Sequence, residues 1–175
     1  MTQFLQRLWM FVLLVLVQVL VLNHMHIMGY ATPALYIYYI LKLKSETPRK
    51  SLLLQAFFIG LCIDIFSNTP GMNAGAATFM AFARRPLLRM QMSREVSEDY
   101  EPGVRIMGFS PFLRYVLSEV FVFAFVLQVL NSFSFFHPAE LFWKVLSDVL
   151  ATIIFIMCAE VLRRNRAVNM IFFSF

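Results

Sequence analysis

The sequence predicts an all-α fold, an integral membrane bundle of six transmembrane helices forming a single membrane domain over 1–175. Three observations predict it. Hydrophobic residues make up 60% of the chain and charged ones 14%, with a mean hydropathy of +0.72, too apolar a balance for a soluble domain of this length. The apolar residues gather into six stretches, about 4–22, 27–43, 51–68, 71–88, 112–132 and 140–163. Basic residues sort almost entirely to one set of connections between those stretches, as a membrane topology requires. The net charge of +5 therefore follows topology, and no nucleic-acid surface is read from it. Cys62 and Cys158 lie in apolar stretches as small hydrophobes and carry no redox signal.

The first stretch, Phe4 to Leu22, follows Gln3 and contains Gln6, Arg7 and Gln18. No small-residue cleavage site follows it, so it reads as a retained anchor and not as a removed signal. The second, Ile27 to Leu43, contains Pro33. A helix starting at that proline has eleven residues, about 16 Å, too short to span. Either the helix kinks there or its entry is buried against protein, and both readings stay open. Lys42 and Lys44 end it, reaching toward headgroups. The third stretch, Ser51 to Asn68, carries Asp64, and the fourth, from Gly71, is rich in small residues that mark an interior helix. A polar cytoplasmic loop follows at 89–110, read as a solvated connector. The fifth and sixth helices are joined by the aromatic Phe133 to Pro138, which suits an interfacial belt.

The organising stretch is Gly60 to Gly75. Gly60 and Asp64 share one helix face at a spacing of four, so a neighbouring backbone can approach the carboxylate closely. Thr69-Pro70 reads as the cap and first turn of the next helix, with Gly71 and Gly75 spaced for close packing. A carboxylate this near hydrocarbon is costly unless paired or wet, which makes it a functional candidate. The plainer reading is an acid that caps the neighbouring helix.

Six spans place fourteen of the fifteen basic residues on one side, all but Lys144. That side is cytoplasmic and holds both termini. Lys144 has Glu140 and Asp148 four residues away on either side, on one helix face. Two arrangements fit: Lys144 bridges Asp148 and Asp64 between the third and sixth helices, or it pairs along its own helix. Glu160 precedes Arg163 and Arg164 by three and four, a pairing along one helix that looks structural. Gly60, Asp64, Gly71, Gly75, Lys144 and Asp148 are thus the intramembrane polar and packing residues expected to matter.

Signatures of enzymatic chemistry are not found: there is no His-Glu-x-x-His, no Gly-x-Ser-x-Gly and no Gly-rich phosphate loop. His24 and His26, with Met25 and Met28 nearby, form too sparse a set for a metal, and no cofactor is expected.

With these residues in view, the chain resembles the rod shape-determining protein MreD family. The resemblance rests on length, six apolar segments, Pro33 entering the Tyr-rich stretch Ala34 to Ile40, and Gly60, Asp64 and Gly71 at their spacing. It implies a non-enzymatic scaffold in the bacterial cytoplasmic membrane, serving the cell-elongation machinery that maintains cell shape. Its implied partners are the bitopic protein MreC, and through it the actin-like MreB filament and the peptidoglycan synthases. The family is also similar in fold to the substrate-binding subunits of energy-coupling-factor transporters, which supplies an alternative: a vitamin- or small-molecule-binding subunit. Those subunits dock through an Ala-x3-Ala pattern in the first helix, and Phe4 to Leu22 has no alanine.

Overall fold

The computed structural model describes residues 2–22, 33–91, 99–131 and 138–172, with side chains at 5, 7–22, 33–91, 99–131 and 142–163. Outside these lie the start of the expected second segment (27–32), His24, His26 and His137, loop residues 92–98, the aromatic joint 133–137, and the side chains of Glu140, Arg164 and Arg166.

All described regular structure is helical. Helix α1 (Thr2–Val17) runs on as a π-helical turn at Gln18–Leu22, followed by α2 (Ile37–Leu41), α3 (Arg49–Ser67), α4 (Met72–Gln91), α5 (Val104–Met107), α6 (Phe109–Asn131) and α7 (Pro138–Phe172). Three helices among the described residues are long and apolar enough to cross a membrane: Arg49–Ser67, Phe109–Asn131 and the Phe142–Arg163 part of α7. Six spans were expected, and each shortfall has a physical cause. The apolar part of the first stretch, Arg7–Leu22, is about 24 Å long, short of a ~30 Å hydrocarbon core. The second stretch yields a five-residue helix. The fourth does form a 20-residue helix, but Arg84, Arg85 and Arg89 lie within it.

The fourth helix nonetheless lies at the centre. It packs against both α3 and α6, while α7 packs on α6. Ala74, Ala76, Ala77 and Ala81 are buried, and such small side chains let neighbouring backbones approach where no hydrophobic force draws helices together. The outward faces are apolar: Leu54, Phe57 and Ile65 on α3, Phe121 and Phe125 on α6, and Leu150, Ile154 and Leu162 on α7 are exposed. Exposed apolar surface spread over several helices suits a hydrocarbon surrounding better than water.

The stretch after Pro33 resolves the two readings left open for it. The helix does not start at the proline; Pro33 to Tyr36 precede it, and the whole run from Pro33 to Leu43 is buried. Irregular backbone inside a bundle needs internal partners, and side chains provide them. Gln18 donates from Nε2 to the Pro33 carbonyl at 2.9 Å and accepts from Leu35 N at 2.8 Å. Thr152 of α7 accepts from Ala34 N at 3.1 Å. The entry to the second segment is thus buried against protein over the described residues.

Candidate functional site

Asp64 lies in the last turn of α3 and is almost wholly buried. Its backbone carbonyl accepts from Asn68 N and from Thr69 N at 3.2 Å, ending the helix, with Asn68 in the left-handed region at φ 54°. Its carboxylate reaches across the turn to the next helix. Oδ1 accepts from Asn73 N at 2.9 Å, Asn73 Nδ2 at 3.0 Å and Thr69 Oγ1 at 3.0 Å. Oδ2 accepts from Ala74 N at 2.9 Å. Since α4 begins at Met72, these are N–H groups of its first turn, which have no partner within the helix. A carboxylate there also faces the positive end of the helix dipole.

This corrects the expected roles of the neighbours. Thr69 does not cap α4; it donates to Asp64. The helix opens after Gly71, not at Thr69-Pro70, and Gly71 has φ +80°, which favours glycine. Having no side chain, it leaves the capping to an acid from the preceding helix. Gly60, one turn before Asp64, brings the two backbones together. A Cβ there would stand 2.5 Å from Ala74 Cα and 2.7 Å from the Asn73 carbonyl oxygen. Gly75 is looser, with Leu130 Cδ1 3.2 Å from its would-be Cβ.

Asp148 and Lys144 are not part of this cluster. Asp148, buried on α7, accepts from Gln128 Nε2 of α6 at 2.7 Å. The ion pairs among the described residues leave out Lys144, so the proposed bridge from Lys144 to Asp64 and Asp148 is not formed here. Amide donors reach both carboxylates, backbone and side-chain ones at Asp64 and Gln128 at Asp148.

Three tyrosines of the second segment connect it to three different helices. Tyr36 donates to Asn73 Oδ1 of α4 at 2.9 Å, Tyr38 to Glu160 Oε2 of α7 at 2.6 Å, and Tyr39 to Gln55 Oε1 of α3 at 2.8 Å. Because Asn73 also donates to Asp64, Tyr36 extends the Asp64 cluster to α2.

At the other end of the bundle lies a charged network that sequence reasoning missed. Lys42 is buried and pairs with Glu160 at 3.1 Å, donates to the Pro102 carbonyl at 2.8 Å and lies 3.9 Å from Glu101. It therefore does not reach out to headgroups, as expected from its place at a helix end. Among the described residues Glu160 does not pair along its own helix: it takes Lys42, the Tyr38 hydroxyl and Val104 N, while Arg163 pairs with Glu101 at 2.6 Å and the Arg164 side chain lies outside them. Lys44 pairs with Asp99 at 2.5 Å. Nearby, burial raises the pKa of the Tyr100 phenol.

Arg84 is fully buried on α4. Its Nε donates to Tyr115 Oη at 3.0 Å, and its Nη2 donates to the Leu43 carbonyl and to that of Leu41 at 3.4 Å. These are carbonyls at the C-terminal end of α2, where a cation is favoured and acceptors lack helical partners. Glu119 of α6 is also fully buried, and both its carboxyl oxygens lack a hydrogen bond. A signal for each was present: Arg84 shares helical spacing with Ala77, Met80, Ala81 and Leu88, and Glu119 with Phe112, Val116 and Phe123, all buried.

Breaking the Lys42–Glu160 pair is a sharp test of this network. Glu160→Leu is expected to cost about 3 kcal/mol by leaving the buried Lys42 ammonium with only the more distant Glu101 carboxylate at 3.9 Å. Adding Lys42→Met should recover more than half of that, read as the melting temperature in detergent. An equal or larger loss in the double variant would contradict the network as drawn.

Among the described residues no group of three or more His, Cys, Asp or Glu could hold a metal ion. Comparison with protein-family models, with curated proteins and with solved structures gives no match to this chain.

Proposed function

We propose that this chain is a non-enzymatic scaffold of the bacterial cell-elongation machinery, of the MreD kind. It crosses the cytoplasmic membrane several times, with α3, α6 and α7 meeting lipid and α1 and α4 completing the bundle. The basic end, with Arg7, Lys42, Lys44, Arg84 and Arg163, faces the cytoplasm together with both termini, following the positive-inside bias. Its direct partner is a bitopic MreC-like protein, through which it is coupled to an MreB-like filament and to peptidoglycan synthases.

One observation carries this reading. The two stretches on which the resemblance rests, Pro33 to Ile40 and Gly60 to Gly71, meet through the chain Tyr36–Asn73–Asp64. Residues far apart in sequence thus serve one structural site, as expected of a shared architectural signature. That site contains hydrogen bonds and close packing.

Affinity purification of the full chain from its native membrane, with mass spectrometry of what accompanies it, tests the proposal. The expected result is recovery of a bitopic MreC-like protein with wall synthases, and their loss with Asp64→Ala. Recovery of a transporter ATPase module in their place would contradict it.

A further inference from the structure

Beside the buried Lys42 network, between α1, the end of α2 and the far part of α7, lies a cavity of about 170 Å³. Arg7, Lys42, Lys44 and Arg163 line it, with Glu101 as the single carboxylate, and Met10 contributes an apolar wall. Four cations and one acid leave three positive charges in excess. Three of the cations have carboxylate partners: Lys42 with Glu160, Lys44 with Asp99 and Arg163 with Glu101. Two of those acids, Glu160 and Asp99, do not line the cavity. Arg7 has neither an ion pair nor a hydrogen bond among the described residues.

An arginine without a carboxylate, held beside two lysines and a second arginine, is suited to an anion. A planar guanidinium recognises phosphate through two parallel N–H donors, and lysines add point charge. The volume is below the roughly 300–1,000 Å³ of pockets that enclose a whole small ligand, so it fits a headgroup whose remainder lies outside. We propose that this cavity binds the phosphate of a phosphate ester, with Arg7 as its principal ligand. An anionic phospholipid and a soluble phosphate ester share this chemistry. The inference rests on the cavity alone and on no protein partner.

The test uses the full chain purified in a neutral detergent, titrated separately with phosphatidylglycerol, phosphatidylcholine and inorganic phosphate. Bound lipid is read by native mass spectrometry, and phosphate binding by the rise in melting temperature. Arg7→Gln is compared with Arg49→Gln, an equal charge change at an exposed residue outside the cavity. Because Arg7 has no ion pair or hydrogen bond among the described residues, the ligand-free melting temperature should be unchanged. If the source is lipid, phosphatidylglycerol binds more tightly than phosphatidylcholine. Arg7→Gln then weakens it about fivefold, the equivalent of roughly 1 kcal/mol per basic residue, and Arg49→Gln does not. If the source is soluble, inorganic phosphate raises the melting temperature of the unsubstituted chain and not that of Arg7→Gln. Equal binding of every probe by both, or an Arg49→Gln loss as large as that of Arg7→Gln, would overturn the assignment.

Discussion

Gly60→Ala is expected to destabilise the protein by about 3 kcal/mol, at the upper end of the usual cost of overpacking. The added methyl would meet backbone, Ala74 Cα at 2.5 Å and the Asn73 carbonyl oxygen at 2.7 Å, and no rotamer change relieves a backbone contact. To make room, α3 must move away from α4, and the Asp64 hydrogen bonds to Asn73 N and Ala74 N, both 2.9 Å, lengthen with it. One methyl group therefore acts twice, through packing and through the cap. Gly75→Ala serves as comparison. Its new Cβ would meet a flexible leucine terminus at 3.2 Å, and a few tenths of an ångström of side-chain movement accommodates it. Thermal unfolding in detergent should separate the two clearly, with the Gly75 variant close to the unsubstituted protein. Similar melting temperatures for both would contradict the close α3–α4 approach.

Arg84→Leu is expected to cost about 4 kcal/mol, in the range found when one member of a buried charged network is removed. The guanidinium joins three elements: it lies on α4, meets Tyr115 of α6 and donates to carbonyls at the end of α2. Without it the Leu43 carbonyl is buried with no donor, at about 1–3 kcal/mol, and the Leu41 carbonyl keeps only Tyr115 Oη at 3.4 Å. Leucine would restore apolar contact and no hydrogen bond. Arg84→Lys should fall between the two, since an ammonium keeps the charge and cannot span Tyr115 and Leu43 with a planar fork. The ordering Arg, Lys, Leu in melting temperature is the expected outcome, and a leucine variant as stable as the parent would show that the carbonyls find other partners.

The helices were legible in the sequence to the extent that their apolar runs were uninterrupted. α3, α6 and the apolar Phe142–Arg163 part of α7 were placed within a few residues, because long apolar stretches bounded by polar ones allow little else, while α7 itself runs on to Phe172. The second segment was harder, since Pro33 gave a boundary but the partners of the irregular backbone, Gln18 and Thr152, come from distant positions. Gly60, Asp64 and Gly71 could be seen to belong together from spacing. That Asp64 caps α4 was the plainer of the two sequence readings, whereas Thr69 turning back to it depends on the angle of the turn, which local sequence does not specify. Lys42 and Glu160 are 118 positions apart, so each was matched to its surroundings along the chain, headgroups for one and Arg163 for the other. Arg84 and Glu119 had the spacing of buried positions. In a chain that is apolar on its outside as well as its inside, helical spacing alone does not say which face is buried.

The proposed function requires α3 to cross the membrane with its basic N-terminal end in the cytoplasm and the Asp64 turn on the opposite side. Single cysteines at Glu46 and Pro70, both exposed and at opposite ends of α3, in a Cys62→Ala/Cys158→Ala background, test it with a membrane-impermeant maleimide applied to spheroplasts. Labelling of Pro70→Cys in intact spheroplasts, and of Glu46→Cys only after permeabilisation, is the predicted result. Labelling of both without permeabilisation, or of Glu46→Cys alone, would contradict it.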